Sequence, residues 1–152
     1  MAEKENPDNV VELRARALRL LARREHTRKE LEGKLAPHAG SSGDVQALIA
    51  GLKQKNHFSE ERYAEERARR LSRKYGAARI RQDLKSKGVP DELVERFSSA
   101  QDELRRAREI LERKYRAPAT TREEKARRMR FLQSRGFSSA VIFTLLSAKH
   151  AA

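Results

Sequence analysis

"LSRKYGAARIRQDLKSKGVP", Leu71 to Pro90, decides the fold. Leu71 and Tyr75 stand four apart, on one side of a helix. Gly76 then ends or turns that helix, as a glycine beyond a C-terminus commonly does. Ala77, Ile80 and Leu84 recur at helical spacing, and Gly88 stops this second helix. Pro90 sits near the first position of a third, short helix whose apolar side is Leu93, Val94 and Phe97. The helix before Leu71 opens at Ser59, a good N-cap, and runs from Glu60 to Lys74 with Ala64, Ala68, Leu71 and Tyr75 on one stripe. The unit is therefore three helices, long, short and short.

The unit is written more than once. "LERKYR" at 111–116 matches "LSRKYG" at 71–76, and "LQSRGFS" at 132–138 matches "LKSKGVP" at 84–90. "LARRE" at 21–25 is a weaker echo of the first motif. "LKQKNHFS" at 52–59 keeps the leucine, basic residue, aromatic and cap of the second, with one residue more. Such a period means stacked supersecondary units. The expected fold is all-α: three tandem three-helix repeats forming an elongated, curved body. A disordered lead-in is expected over 1–9, with repeats over 10–58, 59–100 and 101–152.

Working outward, Val10, Leu13, Ala17 and Leu20 predict the first helix, and Thr27 with Glu30 predicts a capping box for the second. Ala36 to Gly43 reads as a flexible loop and Asp44 as the next cap. In the last repeat Leu104, Ala107, Leu111 and Tyr115 form one stripe, a basic helix runs to about Arg135 before Gly136, and Ser138 caps the final helix.

Composition narrows the function. The chain has 152 residues, 38% hydrophobic and 38% charged, with a net charge of +13. The segment 117–152 holds seven basic and two acidic residues and is the most basic per residue. Such a surface attracts polyanions. There is no cysteine, and His26, His38, His57 and His150 are scattered without metal-ligand spacing. Acidic residues interleave with Arg and Lys, as in "EERYAEERARR", the pattern of a solvated, ion-paired face. No Gly-rich strand-to-helix loop is present. Neither enzyme activity, cofactor nor metal is expected. No apolar run reaches the ~18 residues of a membrane span and no signal peptide opens the chain, so a cytoplasmic monomer is expected.

The basic clusters carry the functional expectation. Arg73 and Lys74 follow the first helix of the middle repeat. Arg81 and Lys85 share a face of its second helix, flanked by Arg79 and Lys87. Lys125, Arg127, Arg128, Arg130 and Arg135 crowd the corresponding stretch of the last repeat, with Met129 and Phe131 about 200° apart around the helix. These eleven residues are the candidate contacts for a partner or for DNA.

The spacing Y-G-x-x-R-I-x-x-x-L-x-x-K-G-V, Tyr75 to Val89, resembles the central signature of the bacterial RecX family, and "FSEERYAEERARR" and "RFLQSRGFSSAVI" resemble its flanking segments. The resemblance runs from about Leu13 to Leu146. Two departures stand out: Asn56-His57 replaces glycine, and Arg128 takes the place of Ile80. The resemblance implies a non-enzymatic, cytoplasmic regulator, usually negative, of the recombinase RecA. It implies binding along the RecA–DNA filament, limits on filament growth, strand exchange and coprotease action, and roles in recombination, DNA repair and the SOS response. It also implies that DNA is bound directly by some members, and the basic surface makes any such binding, to single- or double-stranded DNA, weak and blind to sequence. Composition alone points to another reading, a basic helical nucleic-acid-binding protein without a dedicated protein partner.

Overall fold

The structure, a computed structural model, describes residues 6–147. Nine α-helices follow in order: α1 (Val10–Arg23), α2 (Arg28–Leu35), α3 (Ser42–Gln54), α4 (Glu60–Leu71), α5 (Ala77–Ser86), α6 (Asp91–Phe97), α7 (Glu103–Lys114), α8 (Arg122–Ser134) and α9 (Ser139–Ser147). No strand occurs among the described residues. The extensive helix contacts fall within α1–α3, α4–α6 and α7–α9. Each triplet has its own apolar cluster, around Leu31, Leu35, Ile49 and Leu52 in the first, Ala64, Leu84 and Val94 in the second, and Ala107, Leu132 and Ile142 in the third. Small cores of this kind suit a chain in which charge is as frequent as hydrophobicity.

Caps fix the helix starts. Thr27 accepts from the Glu30 amide and Glu30 reaches back to the Thr27 amide, the expected capping box, here with the threonine fully buried. Ser59, Thr121 and Ser138 each accept from a first-turn amide. Ser41, not Asp44, caps α3. Its extended backbone places Oγ 3.2 Å from the Asp44 amide, so the loop before α3 is partly ordered, with a 3-10 turn over Ala36–His38.

The L-K-S-K-G motif is a Schellman cap. Val89 donates to the Leu84 carbonyl and Gly88 to that of Lys85; Phe137 and Gly136 repeat this on Leu132 and Gln133. Gly88 and Gly136 lie at φ +82° and +88°. Asn56, at φ 61°, does the same after Leu52. The motif at 52–59, however, ends the third helix of its triplet, whereas the others end second helices. It is a shared cap, not an equivalent position.

Other expectations change. Of the lead-in, residues 1–5 lie outside the described residues. Asp8 is held: its amide donates to the His38 carbonyl and its carboxylate pairs with Arg16 at 2.9 Å. Pro90 is the N-cap of α6 rather than its first residue. Val10 is exposed, and α1 buries Leu13 and Ala17 alone. Helix α4 ends at Leu71, so Tyr75 lies beyond it, still packed half-buried against the core that Tyr63 also joins.

Gly76 is the most informative correction. Its φ of −83° is not left-handed, and it serves as the N-cap of α5. It is glycine because a Cβ there would meet the Gly136 carbonyl oxygen at 2.5 Å. A Cβ on Gly136 would in turn meet Arg79 Cβ at 2.5 Å. The Gly76 amide donates to the Arg135 carbonyl at 2.7 Å across the same contact. The second and third triplets thus touch backbone to backbone.

Gly76→Ala is expected to cost about 1–3 kcal/mol as an overpacked contact. Gly51→Ala, within α3 and with open space around it, is expected to gain about 0.5–1 kcal/mol from helix propensity. Urea unfolding of the two variants reads opposite signs.

His26 is buried, with Nδ1 2.9 Å from the Arg24 carbonyl and Nε2 3.0 Å from Lys34 Nζ. Burial lowers its pKa below the ordinary value, so the folded state holds it neutral. The unfolded chain takes up a proton as pH falls through about 6.5 and the folded chain does so only at lower pH. Stability therefore declines from pH 7 toward pH 5, above the range where Asp8, Glu30 and Glu124, whose pKa values are lowered, are protonated. Thermal melts should show this decline, and His26→Gln should flatten it.

Candidate functional site

The seam between the second and third triplets assembles much of the basic sequence. The first residue of α7, Glu103, is buried and accepts from the Ala77 amide, at the N-terminus of α5. Arg106 donates to the Tyr75 carbonyl, Arg113 to that of Arg73, and Arg79 to that of Ser134. Burial lowers the pKa of Arg106. The seam between the first and second triplets follows the same plan more loosely. Glu60, the first residue of α4, accepts from the Arg28 amide at the N-terminus of α2, 3.3 Å away. Arg62 bonds Glu25 and the Asn56 carbonyl. A Cβ on Gly88 would meet first the side chain of Lys29, at 3.1 Å. The second helices α2 and α5 therefore each have their positive end met by a carboxylate from the next triplet.

Cations and aromatic rings alternate along the second seam. The Arg79 guanidinium lies 4.9 Å from the Tyr75 ring centre, and Arg135 lies 5.5 Å from Tyr75 and 5.1 Å from Phe131. Lys114 lies 4.8 Å from Phe131, and Arg128 lies 4.6 Å from Tyr115. Tyr115 and Phe131 meet edge to face at 5.9 Å. The two tyrosines of L-x-R-K-Y are thus half-buried rings against which arginines lie.

The eleven candidate residues separate accordingly. Arg79, Arg128 and Arg135 are engaged with rings, and Arg81 pairs with Glu95. Arg73, Lys74, Lys85, Lys87, Lys125, Arg127 and Arg130 are exposed, without an acidic partner within 4 Å among the described residues. They do not converge on one point but mark successive places along the chain, with Lys125, Arg127 and Arg130 together on α8. The middle triplet pairs its other charges: Arg67 with Asp83 through two bonds, Arg69 with Glu65, Arg70 with Glu66, and Arg96 with Glu61 and Glu92. Arg128, replacing Ile80, stays half-buried by covering Tyr115. Met129, on the other side of α8 from Phe131, is exposed among these cations.

Lys114, Arg106 and Arg113 belong to the seam but not to the sequence-based set. Arg113 and Lys114 stand within the repeated tyrosine motif and Arg106 precedes it; their partners are distant in sequence. Among the described residues no group of three or more His, Asp or Glu is placed to hold a metal, and no helix is long and apolar enough to cross a membrane.

Family models for the first, second and third three-helix domains of RecX match residues 14–38, 59–96 and 101–146. The chain belongs to the RecX family. It is 44% identical to the regulatory protein RecX of Leptothrix cholodnii over 136 residues, 88% of this chain and 87% of that one. It is 43% identical to the RecX of Herminiimonas arsenicoxydans over 91% of this chain and 93% of that one. The crystal structure of RecX from Lactobacillus salivarius superposes with a TM-score of 0.77, covering 91% of this chain and 94% of that chain at 23% identity, a likeness of fold. The three-helix repeats read from the motifs are thus those of RecX, and these relatives carry the name of regulatory proteins.

If Arg135 is a structural arginine, Arg135→Ala should cost about 1–2 kcal/mol, the sum of two ring contacts. Lys85→Ala with Lys87→Ala, both exposed, should stay within about 0.5 kcal/mol. Denaturant midpoints measured side by side check the distinction.

Proposed function

We propose that this RecX is a negative regulator of RecA that binds, as a monomer, along the RecA–DNA filament and limits filament growth, strand exchange and coprotease activity. Its place is in recombination, DNA repair and the SOS response of the cytoplasm, without catalysis or a cofactor of its own. The observation that carries this reading is a set of unpaired cations displayed on a row of repeated helical units of a regulatory family. A polymer of recombinase and DNA offers acidic protein and phosphate at a regular spacing, and a repeated surface meets a repeated partner in register. Direct contact with single- or double-stranded DNA, weak and blind to sequence, follows from phosphate attraction alone.

Unpaired charge governs this attraction, because opposite charges held together cancel beyond a Debye length of about 8 Å. Arg127→Ala with Arg130→Ala should therefore weaken filament binding about tenfold or more, and Arg69→Ala with Arg70→Ala, both paired with glutamates, should do less. Filament affinity and inhibition of filament ATPase, with circular dichroism to confirm folding, measure both. Tight binding to naked DNA with no preference for the filament would instead favour a nucleic-acid-binding protein with no dedicated partner.

A further inference from the structure

The third unit contains a cleft that follows from two substitutions in its own repeat. Aligning the Schellman caps places Lys125 at the position of Ala77 and Arg128 at that of Ile80. Ile80 is buried in the second unit and closes the space between its helices. In the third unit the same side of α8 carries two cations, and the connection before α8 is longer, running from Tyr115 to Thr121. A cleft opens between the end of α7, this connection and the end of α9. Its floor is Leu111, Leu145 and Leu146, each half-buried. Arg108, Arg116, Lys125 and Arg128 stand around it. The two carboxylates of the lining leave positive charge in excess, and Glu109 is drawn to Arg105 at 3.5 Å.

Resting on the RecA reading above, we propose that this cleft holds an acidic segment of the recombinase carrying an aliphatic side chain. The aliphatic side chain meets the leucine floor, and the carboxylates meet the surrounding cations. Nucleic acid fits less well. The leucines offer no flat ring for a base, and the ring of Tyr115 is already covered by Arg128 with its neighbour Phe131 at right angles. This cleft is distinct from Arg127 and Arg130, which lie outside its lining.

The chain has no cysteine, so Ser147→Cys, in the lining of the cleft, gives a single attachment point for a benzophenone. Irradiation on RecA–DNA filaments should crosslink it to a RecA peptide rich in Asp and Glu. Arg116→Glu with Lys125→Glu should weaken filament binding about tenfold and weaken binding to bare single-stranded DNA by a clearly smaller factor. Crosslinking to DNA or to a second copy of this chain, or equal loss on bare DNA, overturns the proposal. Undiminished filament binding by the folded double variant overturns the cleft assignment while the RecA reading stands. Failure of the wild-type chain to bind filaments at all removes both.

Discussion

The approach of Gly76 to Gly136 is the constraint on which the relation of the second and third units depends. Two backbones meet where a single methyl group on either side finds no room. Around that contact lie the Gly76 to Arg135 hydrogen bond, the Glu103 cap on α5 and the donations of Arg79, Arg106 and Arg113 to carbonyls. The cation–ring series then covers the seam. Each unit buries few large side chains, so a stable array needs the interface energy between units as well as the cores within them.

The repetition is physical as well as textual. Glu60 and Glu103 hold the same place, first in the opening helix of a unit, and each meets the first amide of the preceding unit's second helix. The helix dipole and an unmatched amide make that position attractive to a carboxylate. Thr27 and Gly76 are the corresponding N-caps of α2 and α5. The threonine fits because the neighbouring unit comes less close, with Gly88 against a lysine side chain rather than backbone.

The helices and the units were legible because their signals are local. Capping residues, apolar spacing and the glycine stops act within a few positions, and the repeated motifs state the unit directly. What escaped depends on distant residues. Gly76 looks like a helix terminator until Gly136 is brought against it. Arg79, Arg128 and Arg135 look like free cations until rings 4 to 60 residues away in sequence come to lie beneath them. The motif at 52–59 misled for the opposite reason: a Schellman cap serves any helix end and carries no information about which helix of a unit it closes. Of the candidate surface, sequence identified the cations, while only the structure separated the paired and ring-bound ones from those left exposed without an acidic partner among the described residues.

The two seams differ in what resists bending. Close packing and short backbone bonds make the second and third units one stiff arm. The first joint relies on Arg62 with Glu25, both partly exposed, on Glu60 with a long amide contact, and on the flexible chain of Lys29. Such a joint softens as salt screens it. The molecule is then a caliper with one fixed and one adjustable jaw. Its stiff arm keeps one angle between its two units, and only the first seam has an angle that salt can loosen.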